Sequence, residues 1–177
     1  MTDFNDAVNA DRNVAARMPQ AITEAPRKLK PFNQRRDYGM VHSNLWLGRR
    51  VPAFRKLSPQ AKMLALYLLS SPHSNMLGLY LLPLGYMVAD TGLGDEAVSA
   101  ALIELEDARL VSYDQDTGYV FVRYFIETQV LSEVDALHPK DKRAIHAQRV
   151  FESLQGSPFH EEFFEAHGAA LNLRNHG

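Results

Sequence analysis

From Ala61 to Leu69 the chain carries a single charge, Lys62, and apolar side chains lie on nearly every side of the helix these residues form. A helix patterned this way has to be surrounded by other elements. The segment is therefore expected to be the central helix of the core, with the rest of the domain packed round it. Its limits are set locally. Ser58 is a good N-cap and Pro59 a good first helical residue. Ser70-Ser71-Pro72 ends the helix.

The elements that follow are short and well punctuated. Leu79–Leu82, after Gly78, reads as a strand of three or four residues. Pro83 opens a second helix over Leu84–Thr91, with Leu84, Met87 and Val88 at core spacing, and Gly92 terminates it. Gly94 or Asp95 caps a third helix, Asp95–Arg109. Its Val98, Ala101, Leu102 and Leu105 recur at i, i+3, i+4 and i+7. About three residues separate these helices, the length of the turn in a helix-turn-helix. A hairpin closes the run, with strands Leu110–Tyr113 and Tyr119–Phe125 around the turn Asp114–Gly118, where Gly118 is free to take positive φ. On the second strand Tyr119, Phe121, Arg123 and Phe125 share one face, and Val120, Val122 and Tyr124 the other.

Three domains are expected. Residues 1–37 are polar, contain Pro19, Pro26 and Pro31, and read as a basic, mobile or extended arm, with a helical turn or two at Asp11–Met18. Residues 38–130 form the central domain. Within it Asp37–Leu47 reads as a strand or an extended segment packed on the domain, and Ala53–Leu57 as a short helical turn that exposes Arg55 and Lys56. Residues 131–177 form a C-terminal helical extension, with one helix in Lys140–Gln155 and another restarting after Gly156-Ser157-Pro158. Its Phe151, Phe163 and Phe164 need burial, which docking on the central domain, the expected arrangement, or on another protein would supply.

Helix, strand, helix, helix and a two-stranded wing is the order of a winged helix-turn-helix. The expected fold class is thus mainly α with a small β-wing. The run Leu57-Ser58-Pro59-Gln60-Ala61-Lys62-Met63-Leu64-Ala65-Leu66-Tyr67-Leu68-Leu69-Ser70-Ser71-Pro72-His73-Ser74-Asn75-Met76-Leu77-Gly78-Leu79-Tyr80 resembles the opening of the winged helix in phage replisome organisers and DnaD-type primosome proteins. In those proteins a Leu-Tyr-Leu-Leu helix end, followed by small residues, Pro and His, leads into a Gly-apolar-Tyr strand. The resemblance spans about residues 40–126. It implies a role in replication initiation, through origin binding or recruitment of the replicative helicase. The arm and the C-terminal helices match no pattern of that family.

Composition excludes several other classes. The chain has no cysteine, which rules out disulfides, thiolate metal sites and cysteine catalysis and fits a cytoplasmic location. No stretch approaches 18 apolar residues, so no membrane span is expected. The net charge of −2 conceals a division: residues 1–56 hold 11 Lys/Arg and 5 Asp/Glu, against 8 and 16 in the remainder. A basic segment ahead of an acidic body is a pattern of nucleic-acid binders, and equally of solvated tails.

The candidate DNA-binding residues follow from that division. Arg27, Lys28, Lys30, Arg35, Arg36, Arg49, Arg50, Arg55 and Lys56 are candidate phosphate contacts. Ser99 and Arg109 are the polar groups that the third helix, as a presumed recognition helix, offers to base edges among its five acids. Arg123 is placed to touch a minor groove from the wing. Two Asp-Thr-Gly triplets, at Asp90 and Asp116, are 26 positions apart, on a helix end and in a hairpin turn, which is no aspartic-protease arrangement. The seven histidines lack metal-site spacing, and no Walker or Gly-x-Gly-x-x-Gly loop is present. No enzyme activity, metal or cofactor is expected. The expected partners are double-stranded DNA, a helicase or other replication protein, and a second copy of the chain. The alternative is an interaction module on a winged-helix scaffold that does not read DNA and binds a replication, transcription or host-defence protein.

Overall fold

The computed structural model describes residues 39–49, 51–131 and 135–175. The expected arm at 1–37, with its helical turn at Asp11–Met18, lies outside the described residues. The described chain is mainly helical, with one small antiparallel sheet. Its elements are α1 (Pro59–Ser70), β1 (Leu79–Leu81), α2 (Leu84–Thr91), α3 (Asp95–Asp107), β2 (Val111–Tyr113), β3 (Tyr119–Val122), α4 (Lys142–Glu152) and α5 (His160–Leu171). Two 3-10 turns, Ser43–Leu45 and Pro52–Lys56, precede α1, and a π-helical turn, Ile126–Val130, follows the sheet.

Local chemistry sets the boundaries much as expected. The Ser58 hydroxyl accepts the Ala61 N–H at 3.1 Å and caps α1. Gly92 ends α2 at φ 70°, and Gly118 turns the hairpin at φ 74°. Asp141 caps α4 by accepting the Arg143 N–H at 2.8 Å. The turn after α1 is held by Asn75. Its Oδ1 accepts from the backbone of Leu77 and Gly78, and its Nδ2 donates to the Leu79 carbonyl at 2.6 Å.

The strands lie in the order β1-β3-β2, with Leu79 opposite Phe121 and Val111 opposite Val122. This register sorts side chains onto two faces. Tyr80, Val111, Val120 and Val122 join α1, α2 and α3 in one core. Leu79, Tyr119 and Phe121 join α4, α5 and the π-helical turn in a second core. The sheet is therefore a middle layer, and the C-terminal helices are docked on it. Phe121 meets Phe163 at 5.5 Å between ring centroids, and Phe151 meets Phe163 at 6.0 Å. Two buried tyrosines fasten α1 to the sheet side: Tyr80 donates to the Leu68 carbonyl and Tyr124 to the Ala65 carbonyl. The first of these satisfies a helix-end acceptor that has no partner within the helix.

The structure corrects four expectations. Helix α1 is not enclosed: Met63 is 51% exposed and Leu66 and Tyr67 are half-buried, so one edge meets solvent. It packs on α3 and α2, its buried side chains share a core with Tyr80, Val120 and Val122, and among the described residues nothing covers Met63. Residues 39–47 form no strand; His42–Leu45 begin a 3-10 turn because the Leu45 N–H bonds back to the His42 carbonyl. The second hairpin strand stops at Val122, where the chain turns into the π-helical segment. Phe125 thereby leaves the Tyr119 and Phe121 face and enters the core of α1. Helix α3 ends at Asp107, and Arg109 follows it in the left-handed region at φ 55°.

Gly78 carries the tightest constraint. Its φ is 69°, its carbonyl accepts the Val122 N–H, and a Cβ there would overlap the Cβ and ring of Phe125. Gly78→Ala is expected to cost about 2–5 kcal/mol from left-handed strain plus overpacking, seen as a lower urea midpoint. Gly156→Ala, with open space around the site, should shift stability by less than about 0.5 kcal/mol.

Candidate nucleic-acid interface

The charges of the chain are separated along the sequence. Between Asp37 and Asp90 there is no Asp or Glu, while Arg49, Arg50, Arg55, Lys56 and Lys62 all fall in that interval. From Asp90 onward there are 16 Asp/Glu against 7 Lys/Arg. In three dimensions the separation is incomplete: Glu127 lines a cavity with Asn44, Leu45 and Val51, and Glu104 reaches Ser58 at the start of α1. Arg49, Arg55 and Lys56 are exposed on the two turns ahead of α1. Among the described residues none of the three is in an ion pair. The turns are braced together by Gly48, at φ 64°, which lies so close to the Arg55 stem that a Cβ would sit 2.8 Å from Arg55 Cδ. Trp46 packs on the buried Phe54 ring at 5.4 Å and 83°. Arg27, Lys28, Lys30, Arg35, Arg36 and Arg50 lie outside the described residues.

The other candidates are differently placed. Ser99 is half-buried on α3. Arg109 is exposed just beyond α3, where its N–H and that of Leu110 close the helix on Glu106 and Leu105. Arg123 stands at the end of the central strand rather than on a projecting wing. Its guanidinium donates to Ser112 Oγ at 2.7 Å, pairs with Glu162 at 2.6 Å and lies 5.1 Å from the centroid of the Phe121 ring. It thus joins α5 to the sheet. Nearby, burial and then the Arg123 charge push the His167 imidazole below its usual value.

Two acids of α3 have structural partners that sequence spacing did not reveal. Glu104 accepts the Ser58 N–H at 2.7 Å, and Glu106 accepts the Tyr113 N–H at 2.9 Å. Glu104 therefore closes the start of α1 from another helix, as a capping-box glutamate does within one. The Ser58 hydroxyl and N–H hold its carboxyl below the ordinary glutamate range. Asp95, Glu96 and Asp107 stay exposed on α3 beside Ile103, which is 58% exposed. The helix facing outward after the α2–α3 turn thus presents negative charge and one apolar side chain.

Asp90 accepts from the Tyr67 hydroxyl at 2.7 Å and lies 3.6 Å from His73 Nε2, while Asp116 is exposed in the hairpin turn. Among the described residues no group of three or more His, Asp or Glu is placed to hold a metal ion. A cavity of about 70 Å³ is lined by His42, Leu45, Leu69, Thr128 and Gln129, small against the roughly 300 Å³ or more that encloses a small-molecule ligand. No described helix is long and apolar enough to cross a membrane. Comparison of the chain with family models, with curated proteins and with solved structures gives no match.

The reading of residues 37–47 as a packed segment does not convey that Trp46 is 53% exposed.

Glu104 links the acidic helix to the start of α1, and this makes stability depend on pH. Its folded value is lowered, so its contribution is present above the ordinary 4.5 and is lost as pH falls through the folded value. Glu104→Gln is expected to lower stability by roughly 1 kcal/mol at pH 7, after allowance for solvent screening. Urea denaturation at a series of pH values should show the gap closing below pH 4.5. A gap that persists unchanged into acid contradicts the charged hydrogen bond.

Proposed function

We propose that the protein is a winged helix-turn-helix DNA-binding protein of the phage replication-initiation type. In this reading it holds DNA mainly through the cationic segment ahead of α1 rather than through α3. The observation that carries it is the interval from 38 to 89, which lacks any carboxylate and exposes Arg49, Arg55 and Lys56 with no ion-pair partner among the described residues. Cations of this kind displace condensed counterions from DNA and give affinity independent of sequence. The succession α1, β1, α2, α3, β2, β3 and the strand order β1-β3-β2 support the winged-helix assignment. Assignment to origin binding or helicase recruitment rests on the resemblance of residues 40–126 to replisome organisers and primosome proteins.

A second reading has its own support. Helix α3, which would occupy the major groove in a helix-turn-helix, exposes Asp95, Glu96 and Ile103. Those groups repel phosphate and suit a protein partner, such as a helicase or another replication protein. In that case the winged helix is an interaction scaffold that does not read DNA.

Salt dependence separates the two. Fluorescence anisotropy of a labelled random duplex should show binding that weakens steeply with salt. Arg49→Ala combined with Arg55→Ala should reduce the slope of log affinity against log salt by roughly 2. Failure to bind at low salt sinks the DNA reading, and an unchanged slope in the double variant removes these residues from the interface.

A further inference from the structure

Trp46 is an unusual component of a basic surface. It is the one tryptophan of the chain, it is 53% exposed, and its neighbour Leu47 is 55% exposed. Its ring nevertheless packs nearly perpendicular to Phe54, which is fully buried, and its backbone N–H bonds to the Ser43 carbonyl at 3.1 Å. Two arginines belong to the same turns: Arg49 three positions on, with its N–H on the Asn44 carbonyl, and Arg55, whose stem rests against Gly48. A rigid, half-open aromatic plane flanked by arginines suits bases that are free to leave a duplex stack. Aromatic platforms stack on such bases while cations follow the backbone. A duplex hides its base faces and would leave the indole and Leu47 without a partner.

We infer that this turn is a binding site for single-stranded DNA, in which the Trp46 indole stacks on a base and Arg49 and Arg55 contact the adjoining phosphates. The inference rests on the DNA-binding reading and narrows its ligand. Charge complementarity favours a polyanion here, and the exposed indole distinguishes a single strand from a duplex as that polyanion.

The single tryptophan makes the test direct. Full-length protein is titrated with oligothymidylate of roughly 20 nucleotides, longer than the ~4–16 that one such site covers, and with a duplex of the same length. Indole emission and the anisotropy of the labelled DNA are both followed. Oligothymidylate is expected to quench the indole and to bind more tightly than the duplex at equal salt. Trp46→Ala should weaken single-strand binding by roughly 5- to 150-fold, the usual consequence of removing one stacked base contact, and leave duplex binding within about twofold. Trp46→Phe should recover part of the loss, and its far-UV circular dichroism and melting temperature establish that the Phe54 contact and the fold survive. Anisotropy showing oligothymidylate binding without quenching overturns the stacking site and leaves the DNA reading in place. So does an equal loss for single strand and duplex in Trp46→Ala. Binding of neither DNA overturns both.

Discussion

Everything else in the structure depends on strand β3 being buried on both faces. Tyr119, Val120, Phe121 and Val122 are each at most 4% exposed. Val120 and Val122 serve the core of α1, α2 and α3, while Tyr119 and Phe121 serve the core of α4 and α5. A three-stranded sheet of such short strands has little stability of its own. Here it is stabilised by burial from two sides, and removing a side chain such as Phe121 would cost about 3–5 kcal/mol. The C-terminal helices are thus part of what keeps the sheet in place. Arg123 secures that arrangement at the edge by joining Ser112, Glu162 and the Phe121 ring.

This packing also decides which surfaces remain for partners. One face of the sheet is closed by α1–α3 and the other by α4 and α5, so the exposed apolar side chains lie off the sheet: Met40, Val41, Trp46 and Leu47 ahead of α1, Met63 on α1, Tyr86 on α2, Ile103 on α3 and Ile145 on α4. Of these places, the turns ahead of α1 and helix α3 carry opposite charge. Trp46 and Leu47 stand among arginines, and Ile103 stands among acids. A polyanion is attracted to the first and repelled by the second. In the proposed reading nucleic acid occupies the first surface and leaves α3 open to a protein.

Where local rules act alone, the structure was legible in the sequence. Ser58 and Pro59 mark the start of α1, Gly92 and Gly118 take the left-handed conformations their positions require, and Val98, Ala101, Leu102 and Leu105 point into the core. What escaped depends on contacts between distant residues. Asp95, Glu96, Glu104, Glu106 and Asp107 look alike as acids of one helix, yet Glu104 closes the N-terminus of α1 and Glu106 holds β2. The strand ending at Val122 could not be read from alternation, because Phe125 continues the pattern while the backbone has already turned. Arg123 reads in the sequence as a minor-groove contact from the wing, and its pairing with Glu162, 39 positions away, is a contact that no local pattern reveals. The candidate interface was half legible: the cations were evident, and the accessibility of Trp46 was not. The cations at 27–36 and Arg50 lie outside the described residues.

The central claim is that nucleic acid meets the turns ahead of α1 and not helix α3. Nuclear magnetic resonance of ¹⁵N-labelled protein titrated with oligothymidylate tests it most directly. The account predicts shifts at the Trp46 indole N–H and at the backbone amides of Arg49, Arg55 and Lys56, with the amides of Asp95–Asp107 unmoved. Shifts concentrated on Asp95–Asp107, with the Trp46 indole unchanged, would contradict it.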